Sequence, residues 1–228
     1  MQFSHLLEAQ KQVSLSDLQK MKAMRITLSD AGKRFNRDWI FRKAVYTFLP
    51  GETYAITGPN GSGKSTLLQA LAGSLEISEG SINWELNGTN IGSDHIYQYL
   101  TIAAPYLEVI EEMTAIEFLE FHQQFKPLLE KVSINEILKL TGLEKAAGKQ
   151  IRFYSSGMKQ RIKLAQAIFS DAPLLLLDEP CTNLDAFGYD LFHSLISNFC
   201  RTKTIVVSSN DVNEYSFCQH RVSIMDYK

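Results

Sequence analysis

Cysteine is scarce in this chain: there are three, Cys181, Cys200 and Cys218, with no close pairing. That excludes a disulfide framework and a cysteine-rich zinc site, and points to a reducing cytoplasm. The five histidines (His5, His95, His122, His193 and His220) show no metal-ligand spacing, so structural roles are expected for each. No stretch approaches the roughly 20 apolar residues that a membrane-spanning helix requires. The N-terminus carries Glu8, Gln10, Lys11 and Gln12 where a secretory signal would be apolar. The expectation is a chain soluble by itself, with any membrane role supplied through a partner. An excess of positive charge is missing too, the formal net charge being −2, which argues against a nucleic-acid binder. Repeats and low-complexity tracts are absent. What remains is ordinary globular composition, 45% hydrophobic and 21% charged over 228 residues, enough for one large domain or a domain with a lobe.

Against that background one run stands out. Residues 58 to 66 read Gly-Pro-Asn-Gly-Ser-Gly-Lys-Ser-Thr, the phosphate-loop pattern of two glycines five apart followed by Lys and Ser/Thr. Thr53 to Ile56 reads as a buried strand before it, and Ser65 to Ala72 as a helix after it. Glycines let the backbone fold around an anion with its N–H groups turned inward, and the helix N-terminus adds partial positive charge. Gly58, Pro59, Asn60, Gly61, Ser62, Gly63, Lys64, Ser65 and Thr66 are therefore the candidate phosphate contacts. Lys64 is placed at the β- and γ-phosphates and the Ser65 hydroxyl on Mg²⁺. A chance match in a chain of this length is on the order of one in a hundred, and the strand and helix context lowers it further.

The remaining text falls into three parts. Residues 1 to 23 carry a loose amphipathic pattern (Leu6, Leu7, Val13, Leu15, Leu18, Met21) in a polar background. They are read as an extension, disordered or helical, or as sequence upstream of a start at Met24. Strands are expected at Met24–Leu28, Trp39–Phe48 and Gly80–Leu86, the last ending in an Asn87-Gly88 turn, and at Leu100–Ala104. Helical spacing follows between 114 and 147, with Ile116, Leu119 and Phe121 in one segment and Ile134, Ile137, Leu138 and Leu140 in the next. Met158–Phe169 is another helix. Leu174–Leu177 and Thr204–Ser208 read as buried parallel strands. The order predicts an α/β, mostly parallel core with an N-terminal antiparallel β subdomain and a helical insertion over about 105–154.

Asp178-Glu179 closes the Leu174–Leu177 strand, and strand ends beside a phosphate loop are where ligands gather in open α/β sheets. Asp178 suits Mg²⁺, as the acidic partner of Ser65. Glu179 suits orientation or deprotonation of an attacking water. The competing reading is a capping carboxylate pair at a strand-to-turn junction.

The chain here resembles the ATP-binding subunits of ABC transporters, over roughly residues 24 to 215. Tyr154-Ser155-Ser156-Gly157-Met158-Lys159-Gln160-Arg161 is similar to the family signature. It precedes the acidic strand at the family's spacing, and Thr182-Asn183-Leu184-Asp185 is similar to the D-loop. The resemblance implies the P-loop NTPase fold, and a head-to-tail dimer of ATP-binding subunits, identical or not. In that dimer the signature of one subunit closes over ATP held by the other. It implies γ-phosphate contacts for Ser155 and Gly157, a site role for Asp185, and an adenine-stacking role for Phe35, with Trp39 as a competitor. ATP and Mg²⁺ are the implied ligands. A membrane-embedded permease is the implied partner, docked on the helical insertion at the cytoplasmic face.

Two departures bear on turnover. The family's Gln at the end of the strand after the β subdomain is replaced by Ala104, and Gln98 lies too early to substitute. The switch His is replaced by Asn210, with Glu214 keeping the later acid. An Asn amide can donate to a phosphate oxygen but cannot carry a proton. The expectation is firm ATP binding and slow hydrolysis that depends on Glu179. An ATP-sensing regulatory subunit and a soluble non-transport ATPase are the alternatives.

Overall fold

The computed structural model describes residues 23–228, so the expectations for residues 1–22 lie outside the described residues. The chain opens with β1 (Met24–Phe35), antiparallel to β2 (Asp38–Phe48) and to β4 (Glu79–Leu86). A short β5 (Thr89–Ile91) completes a four-stranded sheet in the order β2-β1-β4-β5. β1 runs well past its expected end at Leu28. Its register shifts between Leu28 and Arg34, with Asp30 at φ 47°, and such bulges let a strand continue after its alternation breaks. The Asn87-Gly88 turn behaves as its sequence predicts, with both residues at positive φ (51° and 83°), closing the β4–β5 hairpin.

The second sheet is wholly parallel. It contains β3 (Thr53–Thr57), β6 (Leu100–Ala103), β7 (Leu174–Asp178), β8 (Thr204–Ser208) and β9 (His220–Ser223), in the order β6-β7-β8-β3-β9. β9 escaped sequence reading because it is a four-residue edge strand with one fully buried side chain, Val222.

β7 shows why these leucines form the centre of the molecule. Successive strand side chains point to opposite faces. Leu174 and Leu176 join one apolar cluster with Tyr54, Ile56, Leu67, Leu68 and the antiparallel sheet. Leu175 and Leu177 join another, with Ala55, Ile205, Val207 and the remaining helices. β7 is thus buried on both faces, and each leucine removed from water contributes about 1.5–3 kcal/mol.

The helices are α1 (Lys64–Leu71), α2 (Ala115–Gln123), α3 (Ile134–Leu140), α4 (Ser156–Phe169), α5 (Ala186–Phe199) and α6 (Val212–Tyr215). α2 and α3, with short 3₁₀ turns at Glu144–Ala146 and Ile151–Phe153, are inserted between β6 and α4. α4 starts two residues before the expected Met158, because the Ser155 hydroxyl accepts the Met158 N–H and caps the helix there. Phe121 does not share the buried face of Leu119. Two residues along a helix turn the side chain by about 200°, and Phe121 is 43% exposed. No helix among the described residues is long and apolar enough to cross a membrane.

Candidate nucleotide site

The phosphate loop joins β3 to α1 at the C-terminal edge of the parallel sheet. Its bends need glycine. Gly63 sits at φ 100°, and a Cβ there would lie 2.2 Å from the Ile40 side chain on β2. Gly58, at φ 148°, has Ile224 pressed against it at 2.6 Å from where a Cβ would be. The loop is held from outside as well: the Lys228 ammonium donates to the carbonyls of Ser62 (2.6 Å) and Ile40 (2.7 Å). No sequence signal marks that brace. The Lys64 side chain is buried and folds back over the loop, donating to the Gly58 carbonyl at 3.0 Å and that of Pro59 at 3.3 Å.

α1 differs from every other α-helix described. α2 and α3 carry full capping boxes, Thr114/Glu117 and Ser133/Glu136. α4, α5 and α6 are capped by the side chains of Ser155, Asp185 and Asp211. α1 begins on Gly63 with no side-chain cap and no acid in its first turn. Its first N–H groups, those of Lys64, Ser65 and Thr66, are presented with the partial positive charge of the helix end.

Opposite them, β7 ends on Asp178, which is 2% exposed and has one carboxylate oxygen, Oδ1, without a hydrogen-bond partner. Two other buried side-chain oxygens share that condition among the described residues, the hydroxyls of Ser62 and Ser208. Asp178 and Ser208 are paired across β7 and β8, and Ser62 lies in the loop after β3, so all three gather at the same sheet edge. An unsatisfied buried polar group costs about 1–3 kcal/mol, and buried oxygens of this kind match the oxygen ligation that Mg²⁺ takes. The donor set fits a hydrated divalent cation held by Asp178 and Ser65 beside a polyphosphate.

Glu179 follows with φ 44°, in the left-handed region that non-glycine residues enter at a cost of about 1–2 kcal/mol. The conformation is fixed by its own N–H donating to the Ser208 carbonyl (2.9 Å) and by its carbonyl accepting the Thr182 hydroxyl (2.9 Å). Its half-buried carboxylate makes no hydrogen bond or ion pair among the described residues. Asn210, just beyond β8, lies against the phosphate loop, its amide donating to the Asn60 side-chain oxygen. Glu214 lies behind it, buried, with a carboxylate that accepts the Cys181 N–H at 2.7 Å. Burial holds this carboxyl above the usual range despite hydrogen bonds from Ser209 and Cys181.

Ala104 is buried immediately after β6 and carries no group that reaches the site. Gln98 is on the 3₁₀ turn before β6, exposed and bonded to Tyr97, as its early position implied. Phe35 sits at the tip of the β1–β2 hairpin, 48% exposed, with the Lys33 ammonium 5.0 Å from its ring centre. Trp39 is engaged instead with Arg42 and Arg34, at 4.4 and 5.7 Å.

Three of the predicted residues are not brought to the phosphate loop within one chain. Ser155 caps α4, and Asp185 caps α5 by accepting the Gly188 N–H at 2.9 Å. Gly157 packs on the D-loop, a Cβ there falling 3.0 Å from the Asn183 carbonyl. The signature helix is tied to the acidic strand end by Gln160, whose buried amide donates to the Pro180 carbonyl at 2.6 Å. It is tied to the segment after β6 by a Lys159–Glu111 ion pair at 2.5 Å.

A sequence model of the ABC transporter family matches residues 41–182, from β2 through the phosphate loop, the signature and the acidic strand to the start of the D-loop. This chain belongs to the ABC transporter ATP-binding family. It is 35% identical, over 199 residues, to an uncharacterized ABC transporter ATP-binding protein of Nostoc sp. PCC 7120, a match covering 82% of this chain. The chain spans 59% of the length of that relative. It is 29% identical over 216 residues to the aliphatic sulfonates import ATP-binding protein SsuB of Bacillus subtilis, covering 90% of this chain and 81% of SsuB. Among solved structures, the dimeric structure of MJ0796, a bacterial ABC transporter cassette, superposes with a TM-score of 0.73 over 87% of this chain and 94% of the cassette. At 23% identity, that likeness establishes the fold.

Proposed function

We propose that this ABC subunit binds Mg-ATP between its phosphate loop and the Asp178 strand end, pairs head to tail with a second ATP-binding subunit, and powers a separate membrane permease. The observation that carries this reading is the pairing of an uncapped α1 N-terminus with a buried Asp178, its Oδ1 without a hydrogen-bond partner, at one sheet edge. The N–H groups of Gly61 and of residues 63 to 66, with the Lys64 ammonium, would grip the phosphates, and the exposed Phe35 ring would stack on adenine. When bound, Mg²⁺ supplies charge neutralisation at the β- and γ-oxygens. Glu179 would accept the proton of the attacking water, or orient it, from the fixed position its backbone imposes. The exposed Ser155 and the half-buried Gly157, at the start of α4, would complete the site of the neighbouring subunit, with Asp185 at the junction between the two.

The permease surface fits the inserted helices, where Phe121 and Phe125 stand exposed, edge to face at 5.1 Å. Docking there would hold the subunit at the cytoplasmic face of the membrane.

The test is Glu179→Gln in the complex with permease. ATP binding should persist while phosphate release falls by about 100-fold or more. Equal turnover in the two proteins would remove Glu179 from the mechanism. Asn210 and Ala104 favour a second outcome within the same reading, a subunit that turns ATP over slowly and acts largely by sensing it. A complex whose turnover is carried entirely by its other ATP-binding subunit would establish that role.

A further inference from the structure

The chain beyond β9 returns to the phosphate loop and grips it from the outer side. It forms a 3₁₀ turn over Ile224–Tyr227, closed at its start by the Ser223 hydroxyl, which accepts the Met225 N–H at 3.2 Å. Ile224 is buried and presses on Gly58, at the first bend of the loop. The Tyr227 hydroxyl donates to the Val45 carbonyl of β2 at 3.4 Å. Lys228 then sends its ammonium to two carbonyls, that of Ser62 in the loop at 2.6 Å and that of Ile40 in β2 at 2.7 Å. The Ile40 side chain meanwhile fills the space beside Gly63. A surface lysine ordinarily leaves its ammonium to solvent, because fixing so long a side chain costs conformational entropy. Here it is fixed between the loop and the strand.

What that contact controls is one peptide unit. The Ser62–Gly63 bond is trans, so the Ser62 carbonyl and the Gly63 N–H point in opposite directions. Holding the carbonyl outward on Lys228 therefore turns the Gly63 N–H toward the inside of the loop. The Ser62 N–H is spent on the Pro59 carbonyl at 3.1 Å, whereas the Gly63 N–H makes no hydrogen bond among the described residues. Glycine leaves this peptide free to turn over unless something outside restrains it.

We propose that Lys228 is a positioning residue for nucleotide binding: by tying the Ser62 carbonyl to β2, it keeps the Gly63 N–H aimed at the bound polyphosphate. The inference rests on the nucleotide reading of the loop. Lys228 acts through the loop and not on the nucleotide, so its loss is felt at the phosphates and not at the base.

The test is calorimetric titration of the full chain with Mg-ATP and with inorganic triphosphate. Lys228→Met keeps the stem and removes the donor, and should weaken both ligands by the same factor, roughly threefold to tenfold. Lys228→Arg, which restores donors, should recover most of the affinity. Tyr227→Phe, which loosens the same turn without touching the loop, should bind both ligands as wild type does. The loss in Lys228→Met should persist in about 1 M salt, where the Debye length falls to about 3 Å and a distant charge no longer attracts the ligand. Wild-type affinity in Lys228→Met, a loss confined to ATP, a loss abolished by salt, no recovery in Lys228→Arg, or an equal loss in Tyr227→Phe would each overturn the role of Lys228. A wild-type protein that bound neither ligand would overturn the nucleotide reading, and this role with it.

Discussion

The Asn210 side-chain amide donates a hydrogen bond to the Asn60 side-chain oxygen, joining the end of β8 to the phosphate loop across 150 positions of sequence. An amide at this point can hold the loop or a phosphate oxygen, but it cannot exchange a proton. Asn210→His is therefore expected to raise phosphate release by about tenfold or more, because imidazole titrates near neutrality. Asn210→Leu should weaken ATP binding roughly threefold through the lost contact. A histidine variant slower than wild type in steady-state phosphate release would contradict this account of turnover.

Lys64→Ala should reduce ATP affinity by about 100-fold or more. Its ammonium already lies within the loop, against the Gly58 and Pro59 carbonyls, ready for a charge-assisted phosphate contact, while the Lys228 ammonium beside the loop is taken up by the Ser62 and Ile40 carbonyls. Direct titration with ATP measures the loss, and an unchanged affinity would refute the assignment.

Gln160→Leu tests the tie between the signature helix and the acidic strand end. Removing the donor leaves the buried Pro180 carbonyl unsatisfied, at a cost of about 1–3 kcal/mol in unfolding free energy. Urea denaturation monitored by circular dichroism reads it. A variant within a few tenths of wild type would show that water replaces the amide.

His122 should make the protein acid-sensitive. Burial first, and the Lys126 charge second, depress its pKa from 6.5 to about 4. Its Nδ1 accepts from the Gln166 amide at 2.9 Å, and its Nε2–H donates to the Ser170 hydroxyl at 2.7 Å, which itself donates to the Gln166 carbonyl at 2.6 Å. That circuit needs a neutral ring. The unfolded chain takes up a proton between pH 6.5 and 4 that the folded chain does not. The stability this site contributes is thus complete above pH 6.5 and is lost progressively as pH falls toward 4. His122→Gln should flatten the dependence of Tm on pH across that window; a slope identical to wild type would show that other groups carry it.

Much of the site could be read from sequence because its parts are local. Phosphate-loop glycines, the strand ending in Asp178-Glu179 and the Asn87-Gly88 turn each depend on neighbouring residues, and local rules describe them. What sequence reading missed depends on distant contacts. The continuation of β1 through its bulges requires both flanking strands, and β9 is a strand only because β3 lies beside it. α5 carries Gly188 in its first turn, which weakens its helical signal, and it is fixed by the Asp185 cap and by packing on α4. The Lys228 brace likewise has no local signature.

The lack of a side-chain cap on α1 has a bearing on local breathing. Opening free energies vary across a native protein, and they are lowest where backbone groups rely on solvent for their bonds. The amides of residues 64 to 66 would then take up deuterium sooner than those at the start of α2 or α3, where Thr114 and Ser133 close the helix end. A polyphosphate seated on those amides would slow their exchange, so the nucleotide would serve as the missing end-piece of the helix that holds it.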